Sequence, residues 1–171
     1  AWFADYRTNQ NQHGSPLYVD GVLYVSTARN VVHAYDARDG KELWTYHPNM
    51  IPNPNLGLVN RGLAAWNGKI YMGQLDAKLV AIDAKTGKAA WTVDTVPEDL
   101  GLPEAMRKQY SITMAPRVAK GKVFVGGSGG EFGARGWIAA YDAETGKEVW
   151  RFWTVPGDPA NGPPEGPHLE A

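Results

Sequence analysis

The phrase Ala-x-Asp-Ala-x-x-Gly-Lys-x-x-Trp occurs three times in this chain, at residues 34–44, 81–91 and 140–150. A polar turn with a fixed Gly-Lys, set between two apolar stretches and closed by a Trp, is a structural repeat unit. Self-similarity at a spacing of several tens of residues is the signature of an array or a propeller, and it constrains the fold more than any bulk property. Counted from Trp2, the closing Trp residues are 42, 47 and 59 residues apart. The growth comes from insertions: polar or Pro-rich connections at 48–58 and 96–110, and a Gly-rich stretch at 126–136.

Each unit reads as four strands. A two-residue turn (Asp20-Gly21, Asn67-Gly68, Lys120-Gly121) precedes an alternating apolar run at 22–25, 69–72 and 122–125. Asn-Gly and Asp-Gly beside alternating apolar residues are strong hairpin signals. A second run follows at 31–35, 79–82 and 137–141, then the Asp-Ala-x-x-Gly-Lys turn, then the strand carrying the Trp. One more strand precedes the opening turn, at 14–19, 61–65 and 113–118. Four antiparallel strands per unit make a propeller blade, so the expected fold is all-β. The expected division is a blade tail at 1–8, blades at 9–47, 58–95 and 111–154, and a Pro-rich tail at 155–171. Three units and a partial one are fewer than the roughly four to eight blades that close a ring. The expectation is therefore part of a larger propeller.

The repeated residues serve the repeat. The Trps are expected to lock adjacent blades, and Asp36, Asp83 and Asp142 to cap their own turns rather than act as catalytic acids. Composition narrows the partners. A formal charge of −1 without a basic stripe argues against nucleic acid. The apolar runs are strand-sized, so no membrane span is expected. With no Cys, disulfides and thiolate metal sites are excluded.

Function is sought where the units differ. Four single-copy segments stand out: 10–16, which contains His13; Asn60-Arg61-Gly62; 111–116, with Thr113; and 126–136, which holds Ser128, Gly129, Gly130 and Glu131. Three of them fall at the innermost strands of successive blades and are expected to converge at one rim. Arg, Thr and Glu beside bare Gly backbone suit an anionic ligand with a hard cation. The Gly-rich stretch is no phosphate loop, because it lacks the Lys-Ser/Thr ending and precedes a strand. His13 has no second His at ligand spacing, so zinc is not expected.

Taken together, residues 58–64, Thr113-Met114-Ala115-Pro116 and residues 126–137, with the Gly-Lys-x-x-Trp repeats, resemble the N-terminal part of the quinoprotein alcohol dehydrogenases. The resemblance runs from Trp2 to about Pro159. It implies an eight-bladed periplasmic propeller that uses pyrroloquinoline quinone with calcium or a lanthanide and passes electrons to an acceptor such as a cytochrome c. Residue by residue, it implies that Arg61 binds the quinone oxygens, that Thr113 and Ser128 bond cofactor carboxylates, that Gly129 and Gly130 offer backbone N–H groups, and that Glu131 ligates the metal. His13 stands where many members have a cofactor-contacting Glu. Asn55-Leu56 stand where many members have adjacent cysteines, a change expected to admit a bulkier substrate. The catalytic Asp, further metal ligands and the remaining blades are expected beyond this stretch of sequence. The alternative reading is a non-catalytic propeller scaffold of the outer-membrane assembly type, or a fragment inert by itself.

Overall fold

The computed structural model describes residues 1–6, 8–50 and 58–155. Twelve strands are found among them, in three antiparallel four-stranded sheets. The first sheet is β1 (Leu17–Val19), β2 (Val22–Ser26), β3 (Val32–Asp36) and β4 (Glu42–Tyr46). The second is β5 (Ala64–Trp66), β6 (Lys69–Gly73), β7 (Lys78–Asp83) and β8 (Ala89–Asp94). The third is β9 (Arg117–Ala119), β10 (Lys122–Gly126), β11 (Trp137–Asp142) and β12 (Glu148–Trp153). Within each sheet the strands lie side by side in chain order.

The turns explain this order. Asp20-Gly21, Asn67-Gly68 and Lys120-Gly121 all have positive φ at both residues, the backbone that matches the twist of a tight hairpin. At the second repeated turn the pattern again occurs three times. Asp36 N donates to Lys41 O at 2.9 Å, Asp83 N to Lys88 O at 2.8 Å and Asp142 N to Lys147 O at 2.8 Å. The carboxylate Oδ1 of each Asp accepts the N–H two residues on, from Arg38, Lys85 and Glu144. These bonds favour the ionised form. Arg38 holds the Asp36 carboxyl down at about 2, and the Thr86 and Thr145 hydroxyls and N–H groups lower those of Asp83 and Asp142. Next to this turn every sheet shifts register at the same place, on the strand leading into it between Ala34 and Tyr35, Ala81 and Ile82, and Ala140 and Tyr141.

Adjacent blades are joined by the Trps. The indole Nε1 of Trp2 donates to Ala37 O at 3.2 Å, that of Trp44 to Ala84 O at 3.0 Å and that of Trp91 to Ala143 O at 3.2 Å. Each ring lies flat on the Gly of the next Gly-Lys turn. A Cβ on Gly40, Gly87 or Gly146 would sit 2.4, 2.7 or 2.8 Å from that ring, so only Gly admits the stacking. The middle sheet is covered on both faces. Ile70, Met72, Val80 and Ile82 pack toward the first blade with Tyr24, Val32 and Ala34. Tyr71, Leu79 and Ala81 pack toward the third with Val123, Val125, Ala139 and Tyr141. Burial on both faces is why β6 and β7 read as nearly continuous apolar runs.

The innermost strands are shorter than expected: β1, β5 and β9 begin at 17, 64 and 117. The residues before them pair between blades instead. Ser15 bridges Gly62 in parallel and Arg61 N donates to Thr113 O, both between blades, while Ser111 bridges Ser128 within the third blade. The connections also hold short helical turns, Glu98–Leu100, Glu104–Arg107 and Gly130–Phe132. Asn55 and Leu56, and the tail from Pro156 on, lie outside the described residues.

Candidate cofactor site

The starts of the innermost strands meet edge to edge. Ser15 N donates to Arg61 O at 3.4 Å, and Arg61 N donates to Thr113 O at 3.0 Å. These backbone bonds lay the three blade openings side by side at one end of the sheets. The hairpin turns and the Asp-Ala-x-x-Gly-Lys turns lie at the other end.

Side chains continue the line. Arg61 Nη1 donates to Thr113 Oγ1 at 2.5 Å, and Thr113 Oγ1 and Ser128 Oγ are 2.8 Å apart. A guanidinium and two hydroxyls thus stand in one row. Arg61 is exposed, whereas Thr113 and Ser128 are partly buried. Ser128 is fixed by its backbone: its N–H donates to Ser111 O at 2.7 Å, and Ser111 N donates back to Ser128 O at 3.3 Å.

After Ser128 the chain must turn in a space that only glycine fits. Gly129 has φ +110°, and a Cβ there would lie 2.2 Å from Gln109 O. A Cβ on Gly130 would meet nothing within 4 Å, so the loop presents open backbone beside the hydroxyl row. Glu131 is exposed in the helical turn Gly130–Phe132. Among the described residues no three His, Cys, Asp or Glu side chains gather as a metal cluster. Glu131 therefore offers one carboxylate rather than a complete cation site.

The Gly-rich insertion rests on a stacked base. A Cβ on Gly127 would lie 2.3 Å from Trp137 Nε1, so the loop lies flat against that buried indole. The Arg151 guanidinium sits 4.4 Å from the Trp137 ring centroid. Arg151 Nη2 also donates to Thr95 O, Tyr141 Oη and Glu148 Oε2. Burial pushes the Tyr141 hydroxyl pKa well up, keeping it neutral in this contact.

The structure thus brings Arg61, Thr113 and Ser128 into direct contact, with Gly129, Gly130 and Glu131 following Ser128 in the chain. His13 is exposed, two residues before Ser15 on the neighbouring blade opening. No hydrogen bond joins it to the row among the described residues. Its segment is held instead by Gln12, whose Oε1 accepts Ala28 N at 3.1 Å and whose Nε2 donates to Gln10 O at 2.9 Å.

Two further residues have roles that the sequence does not announce: Asn60, singled out only as part of Asn60-Arg61-Gly62, and Asn30. Asn60 is buried; its Oδ1 accepts Gly62 N at 2.9 Å and its Nδ2 donates to Gly73 O at 3.1 Å. Asn30, also buried, donates to the same carbonyl at 3.2 Å and accepts Leu75 N at 2.9 Å. A loop Asn carries no periodicity, and its position beside Arg61 was the one available signal. Chemically, a guanidinium fork, two hydroxyls and open backbone suit a ligand bearing carboxylates. A carboxylate three residues from the nearer hydroxyl suits a hard cation carried with it.

A family model described as "PQQ: Glucose/ethanol/alcohol dehydrogenase, beta-propeller domain" matches residues 3–170. The dehydrogenase subunit of the alcohol dehydrogenase (quinone) of Gluconacetobacter polyoxogenes is 48% identical in an alignment 167 residues long that covers 95% of this chain and 22% of that protein. The crystal structure of the quinohemoprotein alcohol dehydrogenase from Comamonas testosteroni superposes with a TM-score of 0.83 at 44% identity, over 94% of this chain and 23% of that one. A europium-containing methanol dehydrogenase superposes with a TM-score of 0.75 at 38% identity, over 90% of this chain and 26% of that one. The chain thus spans about a quarter of the length of the proteins it matches, and its three sheets are part of a larger propeller. With its docking repeats and its fold, this chain belongs to the glucose/ethanol/alcohol dehydrogenase β-propeller family.

Proposed function

We propose that this chain forms one wall of a pyrroloquinoline quinone and metal site in an enzyme that oxidises alcohols. The observation that carries the proposal is the contiguous row of Arg61, Thr113 and Ser128 beside the open backbone of Gly130. The quinone is a flat tricarboxylate, and this donor set matches it. When bound, it supplies the acceptor for the hydride leaving the alcohol, with a cation polarising the accepting carbonyl.

The chain's own residues bind and orient. Arg61 directs its fork toward the quinone oxygens and carboxylate region. Thr113 and Ser128 donate hydroxyls to carboxylates, in an order set by their mutual hydrogen bond. Gly129 and Gly130 contribute backbone N–H groups, and Glu131 one oxygen ligand for calcium or a lanthanide. Likeness to a europium-containing methanol dehydrogenase supports keeping both metals in view. His13, two residues before Ser15 at the first blade opening, is assigned the place of the cofactor-contacting Glu.

The general base is assigned outside the described residues. Asp20 and Asp36 lie at the hairpin end, away from the row, and Asp36 is bound by Arg38. Asp94, at the end of β8, pairs with Arg107 at 3.5 Å. The remaining blades, a cytochrome c type acceptor and a periplasmic location complete the reading. No described helix is long and apolar enough to cross a membrane.

Reconstitution of the full-length protein with quinone and calcium tests this. Dye-linked oxidation of alcohols is expected, and Glu131→Ala is expected to abolish it together with metal affinity. Retention of both by the variant removes Glu131 from the site, and absence of any quinone binding returns the chain to a scaffold reading.

A further inference from the structure

We propose that Asn60 is a positioning residue for Arg61, acting through the carbonyl of Gly73. The inference rests on the quinone-site reading above and deepens it.

Arg61 is exposed and occupies a turn without regular strand pairing. An exposed Arg in a loop would ordinarily sample many rotamers, at a cost in entropy when it binds. Here its two chain neighbours are fixed. Gly62, at φ +132°, gives its N–H to Asn60 Oδ1 at 2.9 Å, closing the turn across Arg61. Asn60 is 3% exposed, and its Nδ2 donates to Gly73 O at 3.1 Å. Gly73 ends β6, a strand buried between two blades. Asn60 therefore ties the Arg61 turn to a buried strand packed on both faces.

The same strand end also locates Thr113. A Cβ on Gly73 would lie 2.1 Å from Ile112 Cγ2, so Ile112 packs directly on its backbone. Ile112 N donates to Gln74 O at 2.9 Å. Arg61 and Thr113 are thus each one residue from a group seated on Gly73 or its neighbour. Their separation is set by that strand end together with the backbone bond from Arg61 N to Thr113 O at 3.0 Å, and the bond from Arg61 Nη1 to Thr113 Oγ1 completes the register. Support of this kind keeps a binding constellation in register.

Asn30 supplies a control within the same structure. It is as buried as Asn60 and donates to the same carbonyl, yet it belongs to the first blade and does not adjoin Arg61. Loss of Asn30 loosens the Gly73 contact without touching the Arg61 turn.

The test uses full-length apoprotein and a titration with pyrroloquinoline quinone, read by quenching of Trp fluorescence. Asn60→Ala is expected to weaken quinone binding by roughly 10–100-fold, the usual cost of losing a group that orients a ligand-binding side chain. Asn30→Ala is expected to lower the melting temperature comparably while changing quinone affinity by less than about threefold, within the range of context effects. In an Arg61→Ala background, Asn60→Ala is expected to add nothing, because its effect passes through Arg61. Equal losses of affinity for Asn30→Ala and Asn60→Ala, or multiplying losses for Asn60→Ala and Arg61→Ala, overturn the proposal. If Asn60→Ala does not fold, Asn60→Asp keeps the acceptor for Gly62, removes the donor to Gly73, and takes its place. An Arg61→Ala variant with unchanged quinone affinity defeats the site reading instead. The positioning claim is then decided by the crystal structure of the Asn60 variant. Arg61 leaving hydrogen-bond reach of Thr113 supports it, and an unchanged contact overturns it.

Discussion

Arg61 combines exposure with a fixed hydrogen bond, and this pairing separates a binding side chain from a merely solvated one. Its guanidinium can keep one N–H on Thr113 and still present the rest of the fork outward, which a lysine cannot do. Arg61→Lys retains the charge and loses the planar geometry. Quinone affinity of the full-length protein is therefore expected to fall about tenfold or more, since a hydrogen bond to a charged group contributes about 1.5–3 kcal/mol. Fluorescence titration measures it, and an unchanged dissociation constant would show that charge alone suffices. The neighbouring acids differ in kind. Asp36, Asp83 and Asp142 accept N–H bonds from their own turns, and their lowered pKa values reflect turn geometry rather than chemistry at a site.

At the scale of the blade, two donors share one acceptor. Tyr71 Oη donates to Ala143 O at 3.0 Å and Trp91 Nε1 to the same oxygen at 3.2 Å, with ring centroids 5.8 Å apart. Tyr24 and Trp44 repeat the arrangement on Ala84 O. The third blade has Phe124 beside Trp150, so the hydroxyl is missing there. Because either donor alone satisfies a carbonyl, Trp91→Phe and Tyr71→Phe are each expected to cost about 1 kcal/mol of stability. The double variant leaves the buried oxygen bare and is expected to cost about 1 kcal/mol more than their sum. Urea unfolding of the four proteins gives the coupling directly, and simple additivity would refute the shared-acceptor account. The Asp turns give each blade a pH response. Their folded pKa values lie below the unfolded value, so their contribution is complete above the unfolded pKa and is lost as pH falls through the folded one. The urea midpoint is therefore expected to drop between about pH 5 and about pH 2, the lower bound being set by Asp36 at about 2. Replacing Asp36, Asp83 and Asp142 by Asn should flatten the curve in that window. A drop of the same size in the triple variant would place the acid sensitivity elsewhere.

Across the whole molecule, the repeat was legible because each turn demands particular residues: Gly under an indole, Asp capping its own backbone, a two-residue turn with positive φ. The meeting of Arg61 and Thr113 was also legible, because each belongs to a single-copy segment just before the innermost strand of its blade; Ser128, after β10, stood out only through the Gly-rich insertion that holds it. What the sequence hid was pairing between blades. Residues 14–16, 61–63 and 113–116 read as strand, yet Ser15, Arg61 and Thr113 bond across blade boundaries, and no local pattern reports a partner tens of residues away. The role of Gly73 was hidden for the same reason. Its φ is not positive, and it is glycine for space, with Ile112 against its α-carbon. Gly68 makes the contrasting case, with φ +74° and open surroundings. Gly68→Ala is expected to cost about 1–2 kcal/mol through backbone strain alone and to leave quinone affinity unchanged. Gly73→Ala must push Ile112, and with it Thr113, away from β6. It is expected to cost about 1–3 kcal/mol through overpacking and also to weaken quinone binding. Denaturant unfolding and quinone titration of both variants distinguish the two mechanisms. If Gly73→Ala lost stability but bound quinone like the parent, the third blade opening would be held by something other than the end of β6.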